Sequence, residues 1–192
     1  MTDFAFRKRA VRTLTTDIGV YALCDLDNVP LYVGQSRDGI RSRVARHLTS
    51  ARSDIIANRQ IDVWEIAYVW AYPVASAESI NHLEAQLFHT FHPQSQLMNG
   101  TVPPSGNYGP APEPAQIVQV MPDDEIQERR DASQRLPRQA NHYAQIVGHF
   151  LAVKNSPQIA RAMDAHFGRL QRYHRTLLGL AEDQPDEGND SN

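Results

Sequence analysis

Two short runs, residues 18–24 and 30–35, alternate in side-chain character with the period of two that marks β-strands, and Asp27-Asn28 lies between them as a hairpin turn. With a two-residue loop, Leu26 pairs with Val29 and Tyr21 lies opposite Gly34. Tyr32 then becomes a diagonal neighbour of Tyr21 on the same face. The other face carries Val20, Ala22, Cys24, Leu31 and Val33, all apolar, and is predicted to be core. A slip of one residue would part the tyrosines and scramble that face. Residues 39–52 then follow a helical period, with Ile40, Val44, Leu48 and Ala51 as the buried stripe. Arg43 and His47, four apart, flank it, and Arg41, Arg46 and Arg52 fall on solvated positions. Residues 61–72 are rich in aromatic and branched side chains and are predicted to form a third strand. A second helix spans about 77–91, with Ser76 as N-cap and Pro93 beyond its end. Its stripe is Ile80, Leu83, Leu87 and Phe91, with Glu84 at the stripe's edge.

The remaining segments differ in kind. Residues 1–16 form a basic lead-in, with Arg7, Lys8, Arg9 and Arg12 on a short solvated helix or arm. Residues 102–116 hold five prolines and two glycines and form an extended connector. Residues 117–181 are predicted to be helical. Ala140, Tyr143, Val147, Phe150 and Leu151 form one stripe. Ile159, Met163, Phe167, Leu170, Tyr173 and Leu177 form another, starting at Ser156-Pro157. The two stripes should face each other in an antiparallel pair, with Arg161, Arg169, Arg172 and Arg175 on a solvated basic edge. Residues 182–192 are acidic and expected to be disordered.

Composition narrows the chemistry. The 192 residues carry a net charge of −3, so no global basic field draws the chain to nucleic acid. Lys8 and Lys154 are the two lysines among 19 basic residues. The arginine excess suits bidentate phosphate contacts, although a GC-rich genome gives the same bias. Cys24, the single cysteine, excludes an internal disulfide and a multi-thiolate zinc site. No run is long enough to span a bilayer, and the first residues lack an apolar signal stretch, so a cytoplasmic location is expected.

Phosphodiester hydrolysis needs an activated water, charge stabilisation at the phosphoryl group and help for the leaving oxygen. Glu84 is a carboxylate of the kind that holds a largely hydrated Mg²⁺. Arg43 offers a fixed cationic fork for phosphate. Tyr21, Tyr32 and His47 can transfer protons. Gly19-Val20-Tyr21 and Tyr32-Val33-Gly34, with Arg43, His47, Glu84 and Asn99 following in order, resemble the GIY-YIG nuclease superfamily over roughly residues 17–101.

That resemblance implies an α+β fold, with a small three-stranded antiparallel sheet flanked by helices and here followed by a C-terminal helix pair. It also implies a DNA endonuclease using a single Mg²⁺ (or Mn²⁺) and leaving a 5′-phosphate and a 3′-hydroxyl. Glu84 would be the metal ligand and Arg43 the phosphate contact. One of the two tyrosines would act as base or orient the water. His47 would position water or shuttle a proton, and Asn99 would support by hydrogen bonding. Gln35, Arg41 and Arg46 are candidate nucleic-acid contacts. Gln35 departs from the pattern, because several members have lysine there, and Val20 and Val33 replace isoleucines.

Other readings stand beside this one. The scaffold could serve as a non-catalytic module binding nucleic acid or protein. RNA could replace DNA as substrate. The C-terminal helices could form a homodimer. His82, His89 and His92 lack acidic or thiolate companions and are expected to be surface residues.

Overall fold

The computed structural model describes residues 4–49 and 60–180. Ala51, Arg52 and the acidic tail lie outside the described residues. The chain starts with helix α1 (Phe4–Val11) and the hairpin strands β1 (Gly19–Cys24) and β2 (Pro30–Ser36). Helix α2 (Ile40–Thr49), strand β3 (Tyr68–Pro73) and helix α3 (Ile80–Phe91) follow. Then come β4 (Gln116–Gln119), α4 (Asp123–Arg130), α5 (Ala132–Ala152) and α6 (Pro157–Leu177).

The fold is α+β, with an antiparallel sheet in the order β2-β1-β3-β4. Its fourth strand corrects the expectation of three. Gln116–Gln119 pairs with β3 from Tyr68↔Gln119 to Ala71↔Gln116. The third strand is also shorter than expected. Its first part is a 3₁₀ turn, Val63–Glu65, because Asp62 accepts from Trp64 N and caps it.

Tyr21 lies opposite Gly34, as the alternation requires. The loop, however, has three residues. Asn28 N donates to Asp25 O at 3.0 Å, Asp25 N donates to Val29 O at 2.9 Å, and Asn28 has φ 59°. This is a type I turn closed by a left-handed residue. The extra residue is absorbed as a bulge, with Leu23 opposite Tyr32 but Cys24 opposite Pro30. Leu31 therefore leaves its expected face and packs with Tyr21 and Leu23.

Both faces of the sheet are covered, and all six residues of β1 are buried. Tyr21, Leu23 and Val69 pack against Val11 of α1 and against Ile40, Val44 and Leu48 of α2. Val20, Ala22, Cys24 and Val33 pack against Ile80, Leu87 and Phe88 of α3. The lead-in is the short helix expected, with Lys8, Arg9 and Arg12 exposed, but Arg7 and Val11 make it part of this core. Arg7 is buried and donates to the carbonyls of Val120 (3.3 Å), Val63 (3.0 Å) and Ile66 (3.0 Å). Burial lowers its pKa to about 10.

The helices α5 and α6 form the expected pair, with Tyr143 packed on Phe167 and with Ile159 and Tyr173 buried, but their inward face is only partly the apolar stripes. Its buried residues include Arg135, Gln139, His166 and Arg169, while Phe167 is 46% and Leu151 74% exposed. The reason is a buried ionic seam with the sheet's turn and the 3₁₀ segment. Arg169 Nη1 meets Asp25 Oδ2 at 2.8 Å, and Arg135 Nε meets Glu65 Oε1 at 2.7 Å. Arg138 bridges Asp62 (2.6 Å) and Glu65 (2.7 Å). Arg169 is thus not on a solvated basic edge: it is 1% exposed, and its Nη2 also reaches Pro30 O and Ser95 Oγ. Among the described residues no helix is long and apolar enough to cross a membrane.

Candidate active site

The hairpin sets two phenols side by side. The Tyr21 and Tyr32 ring centroids are 6.4 Å apart and share the space above Gly34. A Cβ at position 34 would lie 2.5 Å from Tyr21 Oη and 2.8 Å from Tyr32 Cε1, so only glycine admits both rings. α2 brings His47 to this pair, with its Nε2 2.8 Å from Tyr21 Oη and its ring centroid 6.2 Å from that of Tyr32. Arg43, one turn earlier, lies beside the Tyr21 hydroxyl, where its charge opposes the rise in the phenol's pKa. Its Nε is buried with no acceptor among the described residues. Tyr21 is fully buried, and this burial, with Tyr32 adding to it, holds the phenol well above its ordinary pKa.

Glu84 approaches from α3, on the other side of β2. Its Oε2 accepts from Gln35 Nε2 at 2.8 Å. Partial burial raises its pKa, opposed by the Gln35 bond, and among the described residues no arginine or lysine pairs with it. The buried acids elsewhere, Asp25, Asp62 and Glu65, all have arginine partners. Asn99 grips the free edge of β2, because its Oδ1 accepts from Val33 N (3.0 Å) and its Nδ2 donates to Val33 O (2.7 Å). This fixes the strand immediately before Gly34.

A cavity of ≈ 670 Å³ opens between these parts. Tyr32, Gln35, Glu84 and Asn99 line it, together with Gln60, residues 100–104, Lys154 and Gln158. Tyr21, Arg43 and His47 sit behind Tyr32 and do not line it. Arg41 lies off the cavity, and its Nε donates to Leu14 O at 2.7 Å, tying α2 to the lead-in. Arg46 is exposed and lies off the cavity. Lys154 and Gln158 were not singled out by any local pattern. The connector forms one rim because α3 straps it down. His89 Nε2 lies 3.1 Å from both Pro103 O and Pro104 O, and Gln86 donates to Gly109 O (3.1 Å) and Pro110 O (2.8 Å). His82 and His89 also pack on Tyr108. His82 is exposed and also lines the cavity, and among the described residues no group of three or more His, Cys, Asp or Glu is placed to hold a metal.

The GIY-YIG catalytic domain model matches residues 17–99. This stretch is a GIY-YIG domain. No curated protein and no solved structure matches the chain. The two tripeptides of this GIY-YIG domain are the first half of β1 and the centre of β2, and their valines, Val20 and Val33, fill the core against α3. The domain has a nuclease-type fold.

The donor chemistry of the cavity fits a hard divalent cation. Glu84 is a half-buried carboxylate without a cationic partner among the described residues, which is costly unless a positive charge joins it. The Gln35 bond occupies one lone pair and leaves others for coordination. Mg²⁺ accepts a single carboxylate and keeps several waters. At about 30 Å³ per water, a hydrated ion and a phosphate fit the space.

Proposed function

We propose that the chain is a DNA endonuclease that hydrolyses phosphodiester bonds with one Mg²⁺ or Mn²⁺ at Glu84, leaving a 5′-phosphate and a 3′-hydroxyl. The observation that carries this reading is the Glu84 carboxylate, bonded to Gln35 but with no arginine or lysine partner among the described residues, sharing a cavity with Tyr32. When bound, the cation neutralises charge on the phosphoryl oxygens and acidifies water.

The chain's own groups divide the rest. Tyr32, at the cavity wall, orients the attacking water. Tyr21, held protonated by burial, anchors His47 and keeps its ring against Tyr32. Arg43, permanently charged and seated behind Tyr32, would reach the phosphate by swinging from Tyr21 into the cavity, where its buried Nε gains an acceptor. Gln35 holds Glu84 in its rotamer, and Asn99 fixes the strand that carries Tyr32. A homodimer through the outward apolar face of the helical hairpin, with Phe167, Leu177 and Leu178 exposed, would supply two active sites for a double-strand cut.

Supercoiled plasmid with Mg²⁺ or Mn²⁺ tests this. Nicking that EDTA and Glu84→Gln both abolish supports the enzyme. Tight DNA binding with no cleavage under either metal would favour the binding-module reading.

A further inference from the structure

Among the described residues lining the cavity, Lys154 is the only lysine or arginine. It lies 70 positions from Glu84 in sequence, in the turn between α5 and α6. The remaining lining residues are mostly amides, prolines and one carboxylate, and Gln35 on β2 brings no charge. A polyanion entering this cavity therefore meets one fixed cation among the described residues, with the His82 imidazole also on the wall.

That cation is held in position by the packing of α6. Gln158, in the first turn of α6, lies against Gly100, where an added Cβ would be 2.9 Å from Gln158 Cβ. Gly168 packs equally closely on Gln96. Arg161 Nη2 approaches His92 Nε2 at 3.4 Å, and Arg169 is buried against Asp25 and Pro30. Three contacts along α6 thus seat the helix on residues 92–100, the segment that supplies Asn99, and Arg169 ties it to the β1–β2 hairpin. The turn before it is placed at the cavity rim, and Lys154 is exposed there. A lysine is a point charge with three donors on a flexible stem, suited to following a phosphate.

We propose that Lys154 contacts a backbone phosphate of the bound DNA, so that the C-terminal hairpin completes the substrate site of the GIY-YIG domain. The proposal rests on the nuclease reading above. It assigns a binding contact, outside the chemical step.

The test uses the full chain, a fluorescein-labelled duplex oligonucleotide and anisotropy titrations in EDTA between 50 and 200 mM salt. Each phosphate contact contributes about 0.9 to the slope of log affinity against log salt. Lys154→Gln should lower the slope by about 0.9 and weaken binding roughly three- to tenfold at low salt. Lys154→Arg should keep the slope. Melting temperatures should not change in either variant, since the side chain is exposed. Plasmid cleavage by wild type and Glu84→Gln runs in parallel. If wild type cleaves and binds but Lys154→Gln keeps its slope and affinity, this proposal is wrong and the nuclease reading stands. If wild type neither binds nor cleaves, both fall.

Discussion

Replacing Arg169 tests whether the helical hairpin is locked to the catalytic domain. The guanidinium is 1% exposed. It donates to Asp25 Oδ2 (2.8 Å), to Pro30 O (3.0 Å) and to Ser95 Oγ. Removing one partner of a buried pair costs about 3–5 kcal/mol, because the other charge stays buried. Asp25 retains bonds from Asp27 N and Val29 N, each 3.0 Å, and Arg135 at 3.5 Å. The lower end, about 3 kcal/mol, is therefore expected for Arg169→Met. For a chain of this size each kcal/mol moves Tm by about 2–4 °C, so the loss should be about 6–12 °C in a thermal melt. Adding Asp25→Asn should recover part of it, because the stranded charge is gone. A single variant melting within 2 °C of wild type, with no coupling in the double variant, would refute the ionic seam. Salt gives a second check, since a buried pair responds to it only weakly.

Glu84 supplies a pH prediction. Burial raises its folded pKa above the ordinary 4.5. The folded state then holds the proton more tightly, so stability falls as pH rises from about 4.5 through the raised value. In metal-free buffer Glu84→Gln should melt above wild type at pH 7, and the gap should close below pH 4.5. Mg²⁺ at about 100 Kd should stabilise wild type by about 2.7 kcal/mol and leave the variant unmoved; equal shifts in both would remove the metal from Glu84. Gly34→Ala should cost about 1–3 kcal/mol in urea unfolding and displace the phenols that a Cβ would strike, whereas wild-type stability and activity would contradict the packing. Arg43→Ala should slow cleavage about 100-fold or more at little cost in Tm, and an unchanged rate would exclude this arginine from the phosphate.

Legibility in the sequence followed how local each signal was. The Tyr21–Gly34 register was readable because it depends on a period of two and a nearby turn. Leu31 was misplaced by the single extra loop residue, which shows only as the positive φ of Asn28. The strand Gln116–Gln119 is four residues beside a proline-rich run, too short for periodicity to register. The C-terminal helix pair was legible, and Ile159 and Tyr173 of its expected stripe are buried, but the polar side chains that share the inward face were not. An apolar stripe usually marks the buried face, but here the carboxylates on the sheet's turn and 3₁₀ segment draw Arg135, Arg138 and Arg169 inward. The six motif positions were visible together, while Gln35 on Glu84 and Lys154 at the cavity depend on contacts that no spacing encodes.

Metal-dependent cleavage bears most directly on the central claim. Purified protein is incubated with supercoiled plasmid in Mg²⁺ and in Mn²⁺, with EDTA and Glu84→Gln as controls. The account predicts nicked or linear product with metal, none with EDTA, and loss of at least two orders of magnitude in the variant. Cleavage by Glu84→Gln at the wild-type rate would contradict it.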